Sequence, residues 1–93
     1  MPTAPPTLAT KVSGAIASMI KSNNSTWPRG TKLADDLGLT ELQRRGLADR
    51  FTAIARNHTG SAAVSRQAAG ALATLQEAID LVAKAAGFDV PTP

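Results

Sequence analysis

Cysteine is absent from the 93 residues. Neither a disulfide framework nor a thiolate metal site is open to the chain, and the absence fits a reducing, cytoplasmic setting. Tyrosine is absent too, beside one tryptophan, two phenylalanines and one histidine. Stacking of single-stranded bases on aromatic side chains therefore has little to work with. No apolar run approaches the roughly 20 residues of a membrane span, so no membrane contact is expected. The opening MPTAPPTLATK lacks a basic stretch followed by a long apolar core, so it does not read as a secretory signal.

Catalytic groups are equally scarce. His58 is the only histidine and stands beside Thr59, Gly60 and Ser61. Asp35 and Asp36 are neighbours, and on a helix neighbours point about 100° apart, so they do not converge on one substrate atom. Gly14, Gly46 and Gly70 are isolated within helical patterns and form no phosphate loop. These absences predict a protein that is no enzyme, with no catalytic residues, no metal and no cofactor.

Alanine, the best helix former, supplies roughly a fifth of the residues. The fold class predicted is all-α: a small four-helix domain with a long C-terminal helix and Pro-containing terminal arms. Residues 1–6 should be an extended arm, 7–87 a single helical domain and 88–93 a tail, from which Phe88 and Val90 can fold back onto the core. The first helix should run from Leu8 to Lys21 behind a Thr7 cap, with Leu8, Val12, Ala15, Ile16 and Met19 on one face. A loop follows at Ser22–Gly30. A short second helix is predicted over Lys32–Leu37, ended by Gly38 in the left-handed conformation. Thr40-Glu41-Leu42-Gln43 fits a capping box and should open a third helix reaching Asn57. Leu47, Phe51 and Ile54 share its buried face. Leu42 points nearly opposite, so it either meets the second helix or stays exposed. The fourth and longest helix should span Ala62–Ala86, with a stripe through Val64, Ala68, Ala71, Leu72, Leu75, Ile79, Val82 and Ala86. Helices one, three and four should supply most of the core.

The net charge is +3, unevenly spread. Lys21–Arg66 holds eight basic side chains against four acidic ones, and beyond Arg66 only Lys84 is basic, against Glu77, Asp80 and Asp89. A basic middle suits a polyanion. Gly30–Phe51 resembles the helix-turn-helix of bacterial and phage repressors. Ala34 matches the small residue at the helix crossing and Gly38 the turn. Leu33, Leu37, Leu39 and Leu47 match the flanking apolar positions. Arg44 departs from the pattern, which places an aliphatic residue there, so its guanidinium must snorkel outward, or the helix is rotated, or the match is a false one. The resemblance implies a regulator of double-stranded DNA whose Thr40, Glu41 and Arg45 read bases. Gln43 and Arg44 would reach bases or backbone, and Lys32, Arg50 and Arg56 would hold phosphates. Arg45 and Asp49, spaced i, i+4, can instead pair on a solvated face.

The alternative is a small accessory, inhibitory or virion protein that binds a protein partner. Trp27 is its candidate anchor, although the residue reads first as an apolar plug over the helix ends. Ala69, Gly70 and Ala73 form a smooth patch that a second helix can approach closely, as in a homodimer.

Overall fold

The computed structural model describes residues 6–22, 27–58 and 63–88. Within them the chain is all-α, with four helices: α1 (Pro6–Met19), α2 (Glu41–Arg56), α3 (Arg66–Gly70) and α4 (Leu75–Ala85). α1 packs on α2 and α4, and α3 lies along α2. One cluster of buried side chains joins them, centred on Leu8, Val12, Ile16, Leu47, Phe51 and Val82. Phe51 is fully buried. Each such side chain contributes roughly 1.5–3 kcal/mol by leaving water.

α1 starts at Pro6, inside the expected arm, because proline suits the first helical position. The other arm and tail expectations, 1–5 and 89–93, lie outside the described residues, as does the fold-back of Val90. Phe88 is half-buried and packs on the core. At the far end of α1, Ser22 N–H donates to the Ala17 carbonyl at 2.8 Å. This closure forces Lys21 to φ 54°, a left-handed value that crowds a Cβ. Lys21→Gly should therefore raise stability by about 0.5–1 kcal/mol once glycine's extra unfolded-state entropy is counted. A thermal melt checks this, and a lowered midpoint would refute the strain.

Three expectations are corrected here. Lys32–Leu37 is not a helix but a single tight turn: Asp36 N–H donates to the Lys32 carbonyl, and Leu39 N–H reaches back to Leu33. Gly38 does take the left-handed conformation, φ 72°, that ends this turn. Next, the long fourth helix does not exist. The chain breaks at Ala71–Ala73 between α3 and α4, so α2, with 16 residues, is the longest helix. Ala71 is consequently exposed rather than part of a core stripe.

Both corrections have one cause. The segment after Pro28 runs alongside residues 73–76 and bonds to them through the backbone. Leu33 N–H donates to the Ala73 carbonyl at 2.9 Å, Leu75 N–H to Thr31 at 2.9 Å and Gln76 N–H to Arg29 at 2.8 Å. A continuous helix would have used those groups internally. Thr74 instead caps α4, its hydroxyl accepting from Glu77 N–H, while the Glu77 carboxylate accepts from Ala73 N–H.

The third correction concerns surface ion pairing. Asp49 pairs with Arg66 at 3.3 Å, and Arg45 pairs with Glu41 at 3.7 Å, not with Asp49.

Candidate interaction surface

The start of α2 is built by its cap. Thr40 Oγ1 accepts from Gln43 N–H at 3.1 Å, and Gln43 Oε1 accepts from Thr40 N–H at 2.9 Å. The expected capping box is thus present, and it commits both side chains to the helix end. Glu41 and Arg45 face water and hold each other one turn apart.

Arg44 does not snorkel outward. Its side chain is half-buried and runs inward. Nη1 donates to the Leu39 carbonyl at 2.7 Å and Nε to the Gly70 carbonyl at 3.3 Å. Gly70 is the last residue of α3, and Arg44 supplies a donor to its carbonyl. One guanidinium therefore ties the turn before α2 to the end of α3.

The structure does not gather the expected DNA-contacting residues. At about 100° per residue, Arg45 and Arg56 share one line of α2, while Arg50 lies some 140° round from Arg45 and Arg44 about 100° round on the other side. Lys32 lies beside Arg44, lining the same cleft with Ala34, Asp35 and Thr74. The eight positions thus divide among a cleft, an outer face, a flank and a cap.

Of the protein-interface residues, Trp27 is half-buried against the core and lines a small cleft with Ala9, Ser13, Leu75 and Ile79. Ala69 and Gly70 do receive a second helix, but it is this chain's own α2, and both are buried. A Cβ on Gly70 would stand 2.8 Å from Arg45 Cγ, so the arginine stem already occupies the smooth patch. Ala73 alone of that trio is exposed. The Ala69–Gly70 part of the patch is thus covered inside the fold.

Leu42 is different. It is 80% exposed, the one large apolar side chain in that state among the described residues. Its place on α2 explains this: it projects some 120–180° from Leu47, Phe51 and Ile54, which enter the core. The turn at Lys32–Leu37 lies on the other side of the helix and gives no cover. Arg45, Asp49, Ala53 and Arg56 share the outer face with Leu42, and all are exposed.

A second apolar feature is an open cleft of about 680 Å³ between α3 and α4, floored by Leu72, Leu81 and Phe88 and rimmed by Glu77, Asp80 and Lys84. The Phe88 and His58 rings also meet in a T-shaped arrangement, at a centroid distance of 5.0 Å. Among the described residues, no three His, Asp or Glu side chains come together to hold a metal. No described helix is long and apolar enough to cross a membrane. Comparison with family models, curated proteins and solved structures returned no match.

Proposed function

We propose that this domain is a non-enzymatic binding module that docks on another protein through the outer face of α2, with Leu42 as the anchor. The 80% exposure of Leu42 at the first turn of a well-capped helix carries this reading. A leucine held open to water forgoes roughly 1.5–3 kcal/mol of burial. A partner's apolar pocket restores it, and the rigid helix end lowers the entropic cost of docking. Arg50, on the flank of this face, has no acid partner among the described residues, so the matching pocket has an acidic rim on that side.

The arrangement supports a protein partner over duplex DNA for two reasons. The implied contacts are spread around α2 and the cleft beside it and do not form one surface facing a groove. The first helix of a helix-turn-helix is reduced to a turn. The two readings separate by salt. Phosphate contacts weaken steeply as salt rises, whereas an apolar anchor does not. A gel shift with random duplex DNA at about 50 and 200 mM salt is expected to show no complex at either. A low-salt complex that vanishes at high salt, and that Arg45→Ala with Arg50→Ala abolishes, would overturn the protein-docking reading in favour of DNA.

A further inference from the structure

We infer that the cleft between the Lys32–Asp35 turn and the α3–α4 corner binds a small organic oxyanion, gripped by Arg44. This site lies across α2 from Leu42, since positions two apart project about 160° from each other. It is independent of the docking face.

Four observations carry the inference. A guanidinium has five N–H donors. Arg44 uses two of them, on the Leu39 and Gly70 carbonyls, and five minus two leaves three. Arg44 is half-buried, yet among the described residues it has no carboxylate partner. A partly desolvated cation without a counter-charge is a standing invitation to an anion, and the planar guanidinium fork suits carboxylate and phosphate oxygens. Lys32 lines the same cleft, and its ammonium has no acid partner among the described residues either. Thr74 lines the cleft as well. Its hydroxyl oxygen accepts from Glu77 N–H, which leaves the hydroxyl hydrogen to donate.

Among the lining residues Lys32 and Arg44 stand against Asp35, while the Asp36 and Glu77 carboxylates at the edge are engaged by the Lys32 and Ala73 N–H groups. The cleft is about 440 Å³, within the range of small-molecule sites and far larger than a bare phosphate needs. Ala34, Ala71, Leu72 and Ala73 supply the apolar part of its wall. The ligand is therefore an anionic head on a compact apolar body.

Phenyl phosphate, benzoate and inorganic phosphate are the probes, titrated into the intact chain at constant ionic strength and followed by proton–nitrogen correlation spectra. Phenyl phosphate or benzoate should produce saturable shifts at Arg44 Nε–H and at the Ala73 and Thr74 amides. Inorganic phosphate should bind more weakly, because it lacks the apolar body. Saturation by phenyl phosphate alone assigns a phosphate ester, and by benzoate alone a carboxylate. Lys32→Gln should weaken binding about threefold, and Asp35→Asn should strengthen it by a similar factor. Lys84→Gln removes the same charge outside this cleft and should change nothing. All three positions are exposed, so folding is preserved. Shifts that rise linearly with both aromatic probes would overturn the site, as would equal losses in Lys32→Gln and Lys84→Gln.

Discussion

Leu42→Glu is expected to abolish partner binding while leaving the fold intact. The side chain makes no core contact, so its removal should cost the domain less than about 0.5 kcal/mol. Glutamate at the second position of α2 also meets the positive end of the helix dipole, which is worth a few tenths of a kcal/mol or more in its favour. The effect on binding runs the other way. A central apolar anchor in a docking face contributes about 2 kcal/mol or more, so affinity should fall by at least about 30-fold. A carboxylate would also meet the acidic rim proposed for the partner, adding repulsion to the lost burial. Leu42→Met should retain most of the affinity, because volume and apolar character are kept. Partner captured on the immobilised domain, quantified beside a circular-dichroism melt of each variant, separates the two effects. A partner held equally by wild type and Leu42→Glu would sink the anchor role. So would a melt showing that Leu42→Glu has unfolded the domain, because the side chain would then belong to the core.

Arg44→Met is expected to have the opposite profile. It should lower stability by roughly 2 kcal/mol, because two charge-assisted hydrogen bonds go and two half-buried carbonyls lose their donor. For a chain of this size that is a fall of about 8–16 °C in melting midpoint. Methionine keeps much of the stem's volume, so the loss reports the guanidinium rather than a cavity. Arg44→Lys should recover at most half of it, since an ammonium is a point donor and cannot reach Leu39 and Gly70 together as the fork does. Docking through Leu42 should survive in the fraction of Arg44→Met that remains folded. A midpoint unchanged in Arg44→Met would show that water replaces the guanidinium without cost.

Much of α1 and α2 was legible from residues close in sequence. The Thr40–Gln43 box marks the start of α2, and Leu47, Phe51 and Ile54 mark its buried side. Leu42 was legible as a misfit on the wrong side of that stripe; whether anything covered it depended on where the Lys32–Leu37 turn lay. The errors share a non-local origin. Lys32–Leu37 reads as a helix, but so short a segment has little helical stability of its own and takes its shape from its surroundings. Those surroundings are Ala73 and Leu75, some forty positions away. The unbroken alanine-rich stripe from Val64 to Ala86 hid the corner at Ala71–Ala73. A local sign of it existed nonetheless, because Thr74 and Glu77 have capping-box spacing and now close that corner. Arg44 was recognised as out of place for an aliphatic position, but a backbone carbonyl is invisible in a residue pattern. Its acceptors at Leu39 and Gly70 emerge only once α3 is laid against α2.

The pairing of Thr31 and Leu33 with Ala73 and Leu75 alters how the connector between α1 and α2 behaves over time. A stretch without helix would ordinarily exchange its amide hydrogens with deuterium quickly, through local openings. Here the amides of Leu33, Leu75 and Gln76 are held across the molecule, and the side chain of Leu33 is fully buried. They are released only when two halves of the chain separate. The Leu33 amide should accordingly hold its proton as long as the middle of α2 does, and exchange it only in the rare events that open the whole domain.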